Sequence, residues 1–248
     1  MWSHERQTKI LELLGRDGKV LTNHLASLFE VSRETVRRDL LEMEATGSLS
    51  RVHGGAIPQS SDIQPEPAFT ERLREHAQAK DAIGTKACEL IPEGATLMID
   101  AGTTTLAFAR ALVRKGNVRI ITNSIEIAQL AACAEHCEIL LLGGRPHCDV
   151  PGTYGEMTLS EIDRFLADFA VISPVGLHQQ RGVTDYELHE AEVARAMMRR
   201  AKSCVMLCHS SKIGIESRVS ICDLAAIDYL VTDASTLPFL PRGRIYQA

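Results

Sequence analysis

An α/β fold in two unequal parts is what the sequence predicts, and two observations carry the prediction. Within the first 57 residues, two short amphipathic helices follow one another tightly and a glycine-containing hairpin pattern comes after them. Beyond that stretch, short and nearly continuous apolar strands alternate with helical runs, the pattern of a parallel sheet covered on both faces. The expected organisation is a winged helix-turn-helix over 1–57, a linker over 58–68 and a parallel α/β sheet domain over 69–248.

The N-terminal elements are justified in order. His4 to Leu14 is amphipathic, with Ile10, Leu13 and Leu14 inward, and Gly15 to Gly18 are expected to end it. Thr22 is expected to cap a helix from Asn23 to Phe29, whose inner residues are Leu25, Ala26 and Phe29. Glu30-Val31 then turns into a helix capped by Ser32 and running to about Glu44. At roughly 100° per residue, Val36, Leu40 and Met43 share its apolar face, while Glu34, Thr35, Arg37, Arg38 and Glu42 spread over the rest. Two short helices joined by so tight a turn make a helix-turn-helix, whose second helix enters a major groove. Adjacent arginines near the start of such a helix suit phosphate and base-edge contacts. An Arg-Arg pair alone is more often only a solvated face, and it is the neighbouring elements that shift the weight. Ser48 to Ile57 reads as a hairpin with a Gly-Gly tip, a wing that sets Arg51 and His53 beside the backbone of a duplex.

Taken together, Arg6-x3-Ile10-x3-Leu14-x3-Gly18-x-Val20, Val31-Ser32-x2-Thr35-Val36-Arg37-Arg38-Asp39-Leu40 and Arg51-x-His53-Gly54-Gly55-Ala56 resemble the DeoR family of bacterial repressors. The resemblance covers nearly all of the first 57 residues and implies a winged helix-turn-helix joined to a sugar-phosphate-sensing domain. The candidate DNA-contacting residues are Thr22, Ser32, Arg33, Glu34, Thr35, Arg37, Arg38, Arg51 and His53.

Composition bounds the possibilities. A chain of 248 residues with 45% hydrophobic and 24% charged residues can bury a real core. It shows no apolar run near 18 residues and no basic, apolar leader, so a cytoplasmic protein is expected, neither membrane-spanning nor secreted. Seven cysteines at irregular spacing argue for reduced thiols and against a disulfide framework. Net charge is −5, yet residues 1–58 hold eight Lys/Arg and eight Asp/Glu, so the remainder carries the excess. The case for DNA therefore rests on where charge sits, and non-specific affinity should be modest and salt-dependent.

Pro58 to Pro67 is polar and proline-rich, as a linker is, and Thr70 to Leu90 follows as one long helical pattern. Strands are expected at Thr96–Asp100, Val118–Thr122, Ile139–Leu142, Phe169–Ser173, Cys204–Leu207 and Tyr229–Thr232, with Ile245-Tyr246 as a further candidate. Helical runs lie at Thr105–Arg114, Ile125–Ala134, Leu159–Leu166 and Glu190–Ala201. In such folds ligands bind at the carboxyl ends of strands, near helix N-termini. Asp100-Ala101-Gly102-Thr103-Thr104-Thr105 combines a close-approach glycine, three hydroxyls and a helix start, which suits a phosphate; a capped turn without ligand is the bland alternative. Asn123-Ser124 and Gly143-Gly144-Arg145 end the next two strands and individually read as ordinary turns. Gly182 to Ala191 places polar groups before a helix, and Lys212 follows the fifth strand, where an ammonium can pair with a phosphate or simply be solvated.

These segments extend the family resemblance to about Asp233, to an effector domain related to ribose-phosphate isomerases. The matching residues are Asp100-x-Gly102-Thr103-Thr104, Thr122-Asn123-Ser124, Gly143-Gly144, Asp168-x6-Val175-Gly176, Thr184-x5-Glu190-Ala191-x-Val193-x2-Ala196-Met197 and Ser210-Ser211-Lys212. The implied effector set is Asp100, Gly102, Thr103, Thr104, Thr105, Asn123, Ser124, Gly143, Gly144, Arg145, Gly176, Glu187, Glu190, His209 and Lys212. His209 stands where the family usually has Asp, a change that bears on effector choice or adds pH sensitivity near neutrality. Asp185-Tyr186-Glu187 before His189-Glu190 is locally similar to the glycerol-3-phosphate-repressor branch, although Pro174 and Leu177 are not typical of it.

The expected function is a repressor of a carbohydrate or polyol operon, a homodimer or homotetramer on operator DNA, released by a phosphorylated sugar or polyol. No cofactor and no enzymatic activity are expected. A sugar-phosphate isomerase fused to a DNA-binding module is the alternative, with Asp100, Asp185, Glu187 or Glu190 as proton carrier. A metal sensor built on Cys133, His136, Cys137, His147 and Cys148 is a further one, but the spacing fits no structural zinc pattern and core or helix-end cysteines explain it better.

Overall fold

The computed structural model describes residues 3–17, 20–45, 48–52, 54–58, 66–147, 149–237 and 243–248. The chain divides into two compact units, Met1–Gln64 and Pro65–Ala248. The first contains α1 (Ser3–Asp17), β1 (Val20–Leu21), α2 (Thr22–Leu28), α3 (Arg33–Ala45), β2 (Leu49–Val52) and β3 (Gly55–Pro58). One apolar cluster joins them: Ile10, Leu13 and Leu14 from α1, Leu25 from α2, Val36, Leu40 and Met43 from α3, and Leu49 and Ala56 from the hairpin. Each fully buried side chain of this size stabilises the unit by about 1.5–3 kcal/mol, which is why the predicted apolar faces form.

Several boundaries differ from expectation, each for a physical reason. Helix α1 runs on through Gly15 to Asp17, since a lone glycine costs only about 1 kcal/mol in a helix whose other residues are packed. Thr22 does not cap α2 but is its first residue; Leu21 holds the capping position without a side-chain hydrogen bond. The Thr22 amide instead donates to the Gly54 carbonyl at 2.9 Å, tying the helix start to the wing. The wing's tip is not Gly-Gly either. Gly55 is already in β3, opposite Leu21 of β1, and a Cβ there would lie 2.0 Å from the Val20 carbonyl oxygen. Gly54, at φ +84°, is a turn residue, and His53 lies outside the described residues.

Between α2 and α3 the chain turns through Glu30, which sits in the left-handed region at φ +54°. The Val31 amide reaches back to the Ala26 carbonyl (3.1 Å) and the Glu30 amide to that of Ser27 (3.4 Å), the pattern of a helix end that favours glycine. Glu30→Gly is therefore expected to stabilise this unit by about 0.5–1 kcal/mol, read as a higher unfolding midpoint of the N-terminal transition.

The second unit contains α4 (Phe69–Arg72), α5 (Ala77–Cys88), β4 (Thr96–Ile99), α6 (Thr103–Lys115), β5 (Val118–Thr122), α7 (Ile125–Ala132), β6 (Cys137–Leu141), β7 (Arg145–Pro146) and β8 (Thr153–Tyr154). It continues with α8 (Glu156–Ile162), β9 (Ala167–Ile172), β10 (Gly176–His178), β11 (Gly182–Asp185), α9 (Leu188–Arg200), β12 (Ala201–Leu207), β13 (Val219–Cys222), β14 (Tyr229–Thr232) and β15 (Arg244–Gln247). Seven strands form one sheet in the order β15-β14-β12-β9-β4-β5-β6, and every neighbouring pair in it is parallel.

Both faces of that sheet are buried, as the near-continuous apolar strands imply. Leu97, Ile99, Val171, Val205, Leu207 and Val231 pack with Ile83, Ala87, Leu106, Leu112 and Ile127 of α5, α6 and α7. Met98, Ala170, Ile172, Cys204, Met206 and Leu230 pack with Ile162, Ala191, Ala194 and Met197 of α8 and α9. Successive residues of each strand thus alternate between two cores. The predicted long helix over Thr70–Leu90 is broken: α4 ends at Arg72, and His76 takes a left-handed φ of +53° before α5 begins. The break lets the buried Lys80 ammonium donate to the Arg72 carbonyl. Gly182–Asp185, expected as a loop before a helix, is a strand of a small antiparallel sheet ordered β10-β11-β13. Among the described residues no helix is long and apolar enough to cross a membrane.

Candidate DNA-binding and effector sites

In the N-terminal unit, Ser32 caps α3: its hydroxyl accepts from the Thr35 amide at 3.0 Å and lies 2.8 Å from the Thr35 hydroxyl. Val36, Leu40 and Met43 hold the helix to the core, which leaves Arg33, Glu34, Arg37 and Arg38 exposed. A groove of ≈560 Å³ runs between the starts of α2 and α3 and the wing, lined by Thr22, Asn23, Arg33, Arg37, Arg51 and Gly54 among others. Three guanidiniums therefore share one concavity. Arg38 faces elsewhere, 3.4 Å from Glu42. Arg37 lies 3.4 Å from Glu34, and Arg51 lies 3.8 Å from Glu44. Exposed pairs of this kind are worth at most about 1 kcal/mol, so they leave the guanidiniums open to exchange for phosphate. Beneath the recognition helix, the Arg6 guanidinium grips the Asp39 carboxylate through two bonds of 2.6 and 2.9 Å, a pairing between buried side chains that no local pattern announces.

In the second unit, the parallel order sends the carboxyl ends of β4, β5, β6, β9, β12 and β14 to one sheet edge. The chain reverses its order between β4 and β9, the place where such folds open a crevice. Asp100 sits at that point, and its Oδ2 accepts from the Ser173 amide beyond β9 at 3.1 Å. Its Oδ1 is buried without a hydrogen-bond partner among the described residues, as are Thr104 Oγ1, Asn123 Oδ1, Tyr154 Oη and His189 Nε2. A buried polar atom left unpaired costs about 1–3 kcal/mol. A set of them around one crevice marks a place completed by polar groups from outside the chain.

Lys212 adds the cation. Its ammonium donates to the Pro174 carbonyl at 2.6 Å and lies 3.5 Å from Glu66. Asp185 closes the site from β11, buried, with its Oδ1 accepting from the Tyr186 amide at 2.7 Å. Burial, reinforced by Asp185, raises the Asp100 carboxyl to about 7, against the Ser173 amide, Thr105 and Lys212. Asp185 rises to about 6 for the same first reason, with Glu66 adding. Glu190 rises to about 9, through burial and then Asp185, Glu66 and Asp100, opposed by Arg72.

The remaining expected effector residues are placed as follows. The Thr105 hydroxyl donates to the carbonyls of Asp100 and Gly102, and the Ser124 hydroxyl accepts from the Ile127 amide, so both hold helix starts. Gly102 is the capping residue of α6, and Thr103 is buried in its first turn. The Gly143 amide is taken by Glu161 at 2.6 Å and its carbonyl by Thr158 at 2.7 Å. A Cβ on Gly144, at φ +144°, would lie 2.2 Å from the Thr158 hydroxyl, so that glycine pair serves packing onto α8. Gly176 does the same for the Ile215 carbonyl, which a Cβ would approach to 2.5 Å. Arg145 is exposed on β7. Glu187 pairs with Arg218 at 3.0 Å, whose guanidinium stacks 3.6 Å over the Tyr186 ring. His209 turns toward Asp233 (3.3 Å) and stacks on His76 (ring centroids 4.1 Å apart); burial first, then His76, Lys80 and Lys212, lowers its pKa against the pull of Asp233.

Five residues at this edge escape the sequence reading as ligand-site groups: Glu66, Arg72, Lys80, Tyr154 and His189. Lys80 left a usable signal, because it falls on the stripe of Ile83, Gly84 and Ala87 that faces the core, where a lysine is out of place. Glu66 left none, standing in a proline-rich stretch. Among the described residues no group of three His, Cys, Asp or Glu is placed to hold an ion, and Cys148 lies outside them.

Residues 6–62 match the model of the DeoR-like helix-turn-helix domain, and residues 75–234 match that of the DeoR C terminal sensor domain. The chain belongs to the DeoR family. It is 33% identical over 230 residues to the glycerol-3-phosphate regulon repressor of Escherichia coli K12, covering 93% of this chain and 90% of that protein. It is likewise 33% identical over 233 residues to the transcriptional repressor GlcR of Bacillus subtilis 168, covering 94% and 89%. Among solved structures, ribose 5-phosphate isomerase A from Methanocaldococcus jannaschii aligns with a TM-score of 0.41 at 17% identity, over 56% of this chain and 55% of that one. The relatives that match this DeoR-family chain from end to end are transcriptional regulators, which makes it a DNA-binding regulator and not an enzyme.

Proposed function

We propose that this DeoR-family protein represses a carbohydrate or polyol operon in the cytoplasm and leaves its operator when a phosphorylated sugar or polyol binds at the Asp100–Lys212 crevice. The observation that carries the reading is the set of unpaired buried atoms, Asp100 Oδ1, Thr104 Oγ1 and Asn123 Oδ1, on loops that share a sheet edge with the Lys212 ammonium. Acceptors await hydroxyls, and the cation awaits a phosphate. The names of the glycerol-3-phosphate regulon repressors point the same way. The test is release of a selected operator fragment, followed by fluorescence anisotropy. Glycerol 3-phosphate and hexose phosphates should include at least one that releases it, and the unphosphorylated compounds should not. Equal potency of sugar and sugar phosphate would sink the reading.

On the DNA side, Arg33, Arg37 and Arg51 are the proposed groove contacts, with Ser32, Glu34, Thr35 and Thr22 framing them and Arg38 contacting from the other flank. Arg37→Ala is expected to weaken operator binding by about 1–3 kcal/mol if it reads a base edge, with relaxed specificity at one position. A uniform loss across sequences would assign it to phosphate. A single winged helix covers one half-site, so a homodimer or homotetramer is proposed, held by the sheet domain. Light scattering that finds a monomer with full operator affinity would overturn this.

A further inference from the structure

The Lys212 ammonium is already engaged: a carboxylate lies against it. Glu66, which follows Gln64 at the end of the N-terminal unit by two positions, sends one carboxylate oxygen to Arg72 at 2.6 Å and the other to Lys212 at 3.5 Å. The three side chains are largely buried, at 10–20% exposure. Lys80 stands close by, its ammonium on the Arg72 carbonyl and its pKa lowered to about 8 by burial and by Lys212 and Arg72. One Arg72 nitrogen, Nη2, is buried with no hydrogen-bond partner among the described residues. Glu66 therefore occupies a nest of three cations and does not satisfy all of its donors. A tetrahedral dianion offers more acceptors than a carboxylate and would use the donor that Glu66 leaves unpaired.

We propose that Glu66 is a built-in stand-in for the effector's phosphate, and that it sets the specificity of the site for phosphorylated over neutral ligands. The proposal rests on the effector reading above and deepens it. Glu66, Asp100, Asp185 and Glu190 are mutually interacting acids around Arg72, Lys80 and Lys212. A phosphate dianion added with Glu66 still in place would put like charges side by side in a poorly solvated site, which disfavours both. The phosphate therefore enters by exchange: Glu66 swings out and Arg72 and Lys212 transfer to the ligand. A neutral polyol has no charge with which to displace the carboxylate, so the crevice stays closed to it at the cationic end.

The test uses the full chain and isothermal calorimetry with inorganic phosphate and, separately, glycerol. Glu66→Gln keeps the shape of the side chain but removes the competing charge and one of the two acceptors that hold Arg72 and Lys212. It should bind inorganic phosphate about tenfold more tightly than the parent. Glu71→Gln, an exposed carboxylate on α4, should leave the affinity unchanged. Phosphate binding that is no tighter in Glu66→Gln than in the parent overturns the inference while leaving the effector reading intact, and so does an equal gain in Glu71→Gln. If neither the parent nor Glu66→Gln binds phosphate, and no sugar phosphate releases operator, the effector reading fails and this inference with it. Should Glu66→Gln not fold, Glu66→Asp, with the same charge on a shorter arm, must shift phosphate affinity in the same direction or the inference is lost.

Discussion

Lys212→Ala should give a protein that still binds operator at parental affinity but no longer lets go of it. The ammonium lies between the Pro174 carbonyl and Glu66, and truncating one partner of a poorly solvated charge pair typically costs about 2–4 kcal/mol. Effector affinity is therefore expected to fall by roughly two orders of magnitude. Because binding and release are linked, the concentration of phosphorylated ligand that frees the DNA should rise by a similar factor. Lys212→Arg, which keeps the charge, should recover part of the response. A cooperative unfolding curve close to the parent's would show that the loss is not one of folding. Parental ligand response in a folded Lys212→Ala protein would remove the lysine from the site.

The largest effect on stability is expected at Asp39→Ala in the DNA-binding unit. Arg6 and Asp39 are 8% and 3% exposed, and their two hydrogen bonds are short. Removing the carboxylate takes away the two short bonds that the buried Arg6 guanidinium makes to it, and breaking a buried pair from one side costs about 3 kcal/mol or more. A unit of this size has little more than that in reserve. The N-terminal unfolding transition should then move down sharply while that of the sheet domain stays in place, and operator binding should disappear with the recognition helix. Replacing both partners by apolar residues of similar volume should restore much of the stability, since breaking a buried pair from one side costs more than replacing it whole. Unchanged N-terminal unfolding in Asp39→Ala would refute the assignment.

Features with a short sequence range were legible in advance. The Ser32 cap and the Val36-Leu40-Met43 face of α3 depend on residues three and four apart, and they form as the spacing implies. The alternation of strands and helices that marks a parallel sheet depends on runs of roughly five to ten residues, and it survives in β5 and β14 with the expected bounds and in β4, β9 and β12 with shifted ends. That all strand ends share one edge follows from the parallel order, so Asp100, Asn123 and Lys212 could be named as neighbours before any coordinates.

Other features are settled by partners far apart in the chain, where periodicity carries no information. Ser173 meets Asp100 across 73 positions, and Arg6 meets Asp39 across 33. Strand β1 has two residues, too few to show any alternation, and it exists only because β3 lies beside it. Its close approach turns Gly55 from a presumed tip into a strand residue. Gly143-Gly144 read alone is an ordinary turn, and the family resemblance adds it to the effector loops; against Thr158 and Glu161 it is a packing contact. The helix expected over Thr70–Leu90 has the right local propensity, but it breaks where Lys80 reaches the Arg72 carbonyl. Propensity differences of a few tenths of a kcal/mol per residue give way to such contacts, because an unpaired buried charge costs several. Glu66 shows the limit most clearly: in the chain it is one acid between prolines, and only folding sets it between Arg72 and Lys212.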